Sequence, residues 1–391
     1  MFRKVLFQIH WFIGITAGIV LAIVGLTGGM LAFEQEILRQ INSNLMSFAV
    51  WDGSALTPVD LIERIQAQSP DKSIASLTLF SSREEAARVG FAAKPPARRG
   101  ESRYVNPYSG AILPKLRGED FFRTVTQIHR YLASGEVGKQ IVGASTLGLV
   151  VIAFSGLYLR WPRKVFDWQV WLALKWSQRG RAFLWSLHSV MGTWVLLCYL
   201  LAALTGLYWS YNWYRDALFS LTGAPRPIQT PSAAGLERSS GTSVSHAKPV
   251  VEQSRDMDRA WDLFQRTVRG YSSATLRLPA KASQPVQITY LDADPPHSRA
   301  INRIVFDVAA GELIEHERYQ EKPAGGKIMS SMFSLHSGRF FGLPGAVLMM
   351  SASFLMPLSA VSGWLLYLDR RRTRKSNQAS GFSLGDVRHG R

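Results

Sequence analysis

Phe7-Gln8-Ile9-His10-Trp11-Phe12-Ile13-Gly14 and Trp185-Ser186-Leu187-His188-Ser189-Val190-Met191-Gly192 decide the reading of this chain. Each opens an apolar run, and each places a histidine four residues ahead of a glycine. The register then holds: Thr27-Gly28 follow His10 by 17 and 18 residues, and Thr205-Gly206 follow His188 by the same offsets. A second pair of histidines repeats in its own way. Gly138 and Ser155-Gly156 lie 9, 26 and 27 residues after His129; Gly345 and Ser362-Gly363 lie at the same distances after His336. Agreement at so many fixed offsets marks a duplicated unit of helix, soluble module and helix.

Composition fits that pattern. A chain of 391 residues with 47% hydrophobic content suits membrane spans alternating with soluble modules better than a row of soluble domains. The net charge of +17 does not call for nucleic acid, because much of it flanks apolar runs, where the positive-inside rule places it. Cys198 is the one cysteine, so neither a disulfide nor a cysteine-based metal site is available.

Four spans are expected, at about 9–33, 138–159, 183–208 and 344–368. The first is followed by Glu34-Gln35-Glu36 and no small-residue cleavage site, so it reads as an uncleaved helix with a cytoplasmic N-terminus. Arg160, Arg163, Lys164, Lys175, Arg179 and Arg181 face one acid, Asp167, between the second and third spans, and a basic run follows Asp369. Both features place these segments in the cytoplasm.

The modules between spans are α+β. Thr57-Pro58 caps a helix to about Gln68, and alternation predicts strands over 74–80, 86–91 and 103–113. After a Pro/Ser/Gly-rich linker from Gly223 to Ser245, a helix over 255–268 and strands over 273–278, 286–291 and 302–314 repeat the pattern. The chain therefore divides into helix 1 (1–37), module 1 (38–118), pre-helix and helix 2 (119–162), an interfacial loop (163–182), helix 3 (183–214), linker and module 2 (215–326), pre-helix and helix 4 (327–369) and a basic tail (370–391). The fold class is an α-helical membrane protein with four transmembrane helices and two small α+β extracytoplasmic domains.

Topology sorts the histidines into an inner pair, His10 and His188, and an outer pair, His129 and His336. A continuous helix from His336 to Leu368 would run about 48 Å, too long for the hydrocarbon core. His129 and His336 are therefore expected on short pre-helices, broken at Gly135/Gly138 and Gly338/Gly342/Pro344. The other histidines, at 246, 297, 316 and 389, lie in polar stretches.

An imidazole beside lipid is a functional candidate by default. Boundary histidines bonded to carbonyls or headgroups are one reading. A metal transporter is another, although it would show several carboxylates or cysteines within the spans, and only Cys198 lies in one. The third is two b-type haems, each held by two histidines from facing helices. No Cys-x-x-Cys-His motif allows covalent attachment. Gly14 and Gly192, one turn after their histidines, would leave room for a flat macrocycle. Arg130, Lys139 and Arg339 outside and Arg181 inside are available to propionates. Membrane lipid is the surrounding partner in every case.

Gln8-Ile9-His10-Trp11, Leu187-His188-Ser189-Val190-Met191-Gly192, Ser155-Gly156-Leu157-Tyr158-Leu159-Arg160-Trp161-Pro162 and the two helix-plus-strand modules resemble the PepSY-associated transmembrane family. Within it the chain is similar to the ferric-siderophore reductases of the Gram-negative inner membrane. The resemblance implies PepSY-like periplasmic domains and haem ligation by His10, His188, His129 and His336. It also implies electron delivery to a ferric siderophore in the periplasm. No Gly-x-Gly-x-x-Gly or flavin motif is present, so the donor is expected to be quinol or a cytoplasmic flavoprotein. Periplasmic siderophore-binding or transporter proteins are possible partners. Trp209, Tyr211, Trp213, Tyr214 and Phe340 are the substrate-contact candidates. Two other functions stay open: an accessory protein whose modules bind a protease or transporter, and a haem protein that reduces another substrate.

Overall fold

The computed structural model describes residues 1–47, 54–93, 100–226, 250–279 and 284–385, with side chains described except at 250–255 and 374–385. Most of the Pro/Ser/Gly-rich linker and the end of the basic tail lie outside these residues. In chain order, helices α1 (Phe2–Thr16) and α2 (Gly18–Leu31) are followed by α3 (Pro58–Gln68) and strands β1 (Ile74–Phe80), β2 (Ala87–Phe91) and β3 (Ser102–Val105). Helices α4 (Glu119–Tyr131), α5 (Gly135–Arg160), α6 (Gly180–Trp194) and α7 (Leu196–Ser210) come next. Then come α8 (Val250–Thr267), β4 (Tyr271–Arg277), β5 (Val286–Asp292), β6 (Asn302–Asp307) and β7 (Glu312–Glu317). Helices α9 (Met332–His336) and α10 (Gly342–Gly385) close the described chain, and short helices fill some of the connections.

Two compact units result. The helical unit comprises Met1–Glu34, Phe121–Ala217 and Met332–Arg391; the sheet unit comprises Gln35–Asp120 and Leu218–Ser331. In the helical unit, α5 and the stretch Arg339–Thr373 are each long and apolar enough to cross a membrane. The pairs α1–α2 and α6–α7 pass the same test only together, each bent, by 60° and 57° respectively. Large apolar side chains such as Phe154, Leu197, Leu348 and Val361 stay exposed on these helices, as a surface against lipid requires.

The bends correct the expectation of unbroken first and third spans. They fall at equivalent places, Ala17 and Val195, each seven residues after its histidine. Beside each break a threonine turns its hydroxyl back onto its own helix: Thr16 donates to Phe12 O at 2.9 Å and Thr193 to Ser189 O at 3.0 Å. Such back-bonding bends helices. The pre-helices do break before α5 and α10, although Gly138 and Pro344, expected at the breaks, lie inside those helices. Leu132, Ala133 and Gly135 take positive φ between α4 and α5, as do Gly338 and Gly342 between α9 and α10.

In the sheet unit the two modules are not separate domains, and that expectation is also corrected. All seven strands form one antiparallel sheet of order β3-β2-β1-β4-β5-β6-β7. Strands β1 and β4, which would each be an edge of an isolated module, pair over Ser76–Phe80 with Ser273–Arg277. Pairing removes two rows of unsatisfied backbone groups and the aggregation hazard they carry. It also merges the cores: Leu61, Ile65, Leu77, Phe264, Ile288 and Phe306 belong to one buried cluster between the sheet and helices α3 and α8. The predicted third strand of module 2 proves to be a hairpin, β6–β7, turned at Gly311 with φ of 74°. Thr57 caps α3 as expected, accepting from Asp60 N–H at 3.2 Å.

A buried polar cluster in this unit holds His297. Its Nδ1 accepts from Arg299 N–H at 3.1 Å, and its Nε2 lies 2.9 Å from both Tyr319 Oη and Ser331 Oγ. Burial holds its pKa below the ordinary histidine value. The native state thus prefers the neutral ring, and its contribution is lost as pH falls through and below that ordinary value. We expect the melting temperature of the protein to fall between pH 7.5 and 5, and His297→Gln to shrink that slope; identical slopes in variant and parent would refute the assignment.

Candidate functional site

All four histidines of the apolar runs lie in the helical unit, and each meets a hydroxyl–glycine pair from the other span helix of its own half. His10 Nδ1 is 2.9 Å from Ser155 Oγ, and His188 Nδ1 is 2.9 Å from Ser362 Oγ. His129 Nδ1 is 3.2 Å from Thr27 Oγ1, and His336 Nδ1 is 3.0 Å from Thr205 Oγ1. The glycine next to each hydroxyl lies against the same ring. A Cβ there would stand 3.1 Å from Cε1 of His10 at Gly156, 3.1 Å from that of His129 at Gly28, and 3.3 Å from those of His188 at Gly363 and His336 at Gly206. Almost any side chain in place of those glycines would push the imidazole away.

These bonds favour one tautomer. Each hydroxyl has its own proton engaged along its helix: Thr27 to Ile23 O and Thr205 to Leu201 O, both at 2.6 Å, Ser155 to Ile152 O at 3.2 Å and Ser362 to Ser359 O at 3.1 Å. The oxygen is then free to accept, which favours the hydrogen on Nδ1. For the second pair the conclusion is independent of the hydroxyl. Val24 O lies 3.0 Å from His129 Nδ1 and Ala202 O lies 3.1 Å from His336 Nδ1, and a carbonyl can only accept. Every Nε2 therefore keeps its lone pair. A ring anchored through Nδ1–H with Nε2 left basic is the arrangement of a metal-ligating histidine.

Across the two halves the rings pair. The His10 and His188 centroids are 6.4 Å apart with planes at 89°, and those of His129 and His336 are 6.3 Å apart at 64°. Two metal–imidazole bonds of about 2 Å, with about 1.1 Å from each nitrogen to its ring centre, span roughly 6.3 Å. The two centroid separations match that span, which makes each pair a candidate to hold one metal ion between its imidazoles. Among the described residues no group of three or more His, Cys, Asp or Glu side chains gathers to complete a protein-only metal site. The donor set suits a metal whose other ligands arrive with it. Space is also present: a Cβ at Gly14 or Gly192, one turn from His10 and His188, would meet nothing within 4 Å.

The basic candidates are engaged nearby. Lys139 pairs with Glu136 at 3.1 Å, Arg181 with Asp369 at 3.2 Å, and Arg339 donates to Ala32 O at 2.7 Å while lying over Phe33. Arg130 lies over the Tyr131 ring. Of the aromatic candidates, Trp209 packs edge-on to His336 with centroids 5.5 Å apart. Tyr211, Trp213 and Tyr214 form a run of ring contacts of their own, and Phe340 packs on Phe341. The hydroxyls of Thr27, Ser155, Thr205 and Ser362 were not among the candidates, although their fixed offsets from the histidines were the signal that could have found them. Of the polar-stretch histidines, His316 bonds Tyr290 Oη at 2.7 Å and His297 lies in its own cluster. His246 and His389 lie outside the described residues.

Fold and site together define a helical membrane protein that brings two histidine pairs into edge-to-face contact. The chain belongs to the family described as the PepSY-associated TM region, whose model matches residues 7–370. No curated protein matches it.

The close packing of α2 on α10 separates structural from spatial glycines. A Cβ at Gly25 would lie 2.4 Å from Met356 Cβ and 2.8 Å from Ser353 O. Gly25→Ala is expected to cost about 1–3 kcal/mol, the range for overpacking, and to lower the melting temperature in detergent. Gly14→Ala, whose Cβ meets nothing within 4 Å, should leave it unchanged or slightly raised. Equal melting of the two variants would contradict this packing.

Proposed function

We propose that this protein is a di-haem b reductase of the bacterial inner membrane that delivers electrons to a ferric siderophore in the periplasm. The observation that carries the reading is the doubled pair of imidazoles, each with Nδ1 bonded to a hydroxyl of the neighbouring span, at a separation that would let the two rings share one iron. His10 and His188 would hold the inner haem, His129 and His336 the outer. When bound, the two haems supply one-electron transfer from the cytoplasmic to the periplasmic side and on to Fe(III).

The chain's own part is to position and insulate. Ser155, Ser362, Thr27 and Thr205 fix ring orientation and raise the basicity of Nε2. Gly14 and Gly192 keep a flat space clear beside the inner ligands. Trp209 shields one edge of the outer pair. In this reading the bent pairs α1–α2 and α6–α7 each make one span, giving four spans with both termini cytoplasmic. The donor is quinol or a cytoplasmic flavoprotein. One-electron reduction weakens the hold of hard oxygen donors on the iron, because the Coulomb attraction falls with the charge.

Purified protein is expected to show a Soret band, b-type α bands and close to two haems per chain by pyridine haemochrome. His10→Ala and His336→Ala should each remove a different haem, and the reduced protein should be reoxidised by a ferric siderophore. Gly14→Leu and Gly192→Leu should lower haem content at unchanged melting temperature of the haem-free protein. A colourless protein would overturn the proposal and favour an accessory role.

A further inference from the structure

The sheet buries one face against α3 and α8, and its other face carries an array that the proposed reductase chemistry does not use. Leu77, Val89, Ala274 and Leu276 point into the core, so their strand neighbours point the other way. Strand register sets six of these in two rows. Arg88, Thr78 and Thr275 are paired across β2, β1 and β4; Gly90, Ser76 and Arg277 form the next row. The two arginines stand at opposite corners. With strands about 4.8 Å apart and two residues rising about 6.7 Å, their Cα atoms are roughly 11–12 Å apart. Between them Thr78 Oγ1 and Thr275 Oγ1 are 2.8 Å apart. The six residues line a concavity of about 550 Å3, within the size range of small-molecule sites.

Three features make this a site for an anion with separated charges. First, among the described residues neither Arg88 nor Arg277 has an ion-pair partner, whereas Arg303 in the same row is held by Glu315 and by Glu317 at 3.5 Å. The one acid lining the concavity, Glu101, is already taken by Lys72 at 2.6 Å and Arg103 at 2.9 Å. Second, Gly90 leaves the floor next to Ser76 clear: a Cβ there would lie 2.5 Å from Ser76 Oγ, and the hydroxyl would have to turn away. Third, the diagonal spacing suits two anionic groups on one molecule better than a single phosphate. Guanidinium forks match carboxylates in bidentate geometry, and the hydroxyls between them serve hydroxyl or chelate oxygens.

We propose that this array recognises a small polycarboxylate anion, and specifically a ferric chelate with free carboxylates. That the anion is the chelate to be reduced rests on the function proposed above; its binding does not. The site takes Arg88, Gly90, Ser76 and Thr78 from the first half of the chain and Thr275 and Arg277 from the second, so it exists only because the modules are fused.

Full-length protein in detergent, at fixed ionic strength, would be titrated calorimetrically with gallium(III) citrate, which cannot be reduced. Saturable binding is expected, weakened at least tenfold by Arg88→Gln or Arg277→Gln and less than twofold by Arg303→Gln, with circular dichroism unchanged in each. A cationic gallium trihydroxamate should bind at least tenfold more weakly. No saturable binding, unchanged affinity in both variants, or equal affinity for the trihydroxamate would overturn the proposal. Inorganic phosphate binding as tightly as gallium citrate, with the same loss in the variants, would reduce the array to a general anion site and overturn the chelate assignment. Haem content read on the same samples keeps the two proposals apart: citrate binding by a haem-free protein sinks only the reductase, and haem without citrate binding sinks only this site.

Discussion

The bond between a histidine Nδ1–H and a hydroxyl on the neighbouring span is the constraint on which the helical unit depends. It does three things at once. It satisfies a polar group that would be costly to leave unpaired among apolar helices. It selects the tautomer that keeps Nε2 basic. It also fixes where two helices of one half stand, since the adjacent glycine lets the ring lie against the helix surface at 3.1–3.3 Å of a notional Cβ. The arrangement is reciprocal: in the first half α2 supports the histidine of α4 and α5 supports that of α1. The second half repeats this, with α7 supporting His336 and α10 supporting His188. Shifting any one of these helices by a turn would break its histidine–hydroxyl bond.

The helix breaks follow from the same requirement. A straight helix carrying both a histidine near one end and a Thr-Gly pair 17 residues later has its orientation fixed twice. The bends at Ala17 and Val195 uncouple the two ends, so that each meets its own partner. At the other histidines the uncoupling comes from turns. Positive-φ residues between α4 and α5 and between α9 and α10 free His129 and His336 from the direction of the spans that follow.

Much of this was legible in the sequence because duplication prints it twice. The four histidines, their offsets, the apolar runs, the cap at Thr57 and strand β1 all follow from local pattern. The role of Thr27, Ser155, Thr205 and Ser362 was visible only as register, because a hydroxyl in an apolar run reads equally well as a packing residue bonded to its own helix. Which hydroxyl meets which histidine is a tertiary fact with no local signature. The fusion of the two modules was hidden for a similar reason. Strands β1 and β4 each alternate in the way a half-buried strand should, and nothing local says whether the neighbour comes from the same module or the other.

Fusion also makes each of these arrays depend on both halves of the chain. One half by itself would carry histidines anchored through Nδ1 and pointing at no second ring, since His10 needs His188 and His129 needs His336. It would also carry a short sheet with an open edge at β1 or β4, and one guanidinium in place of two. In both units the chemically distinctive array straddles the join between halves, and in both it is the pairing across that join, rather than the residues of either half, that creates it. The offsets between histidines and hydroxyls can stay the same while the loops, linker and strand count of the modules diverge, as the extra strand β7 in the second half shows.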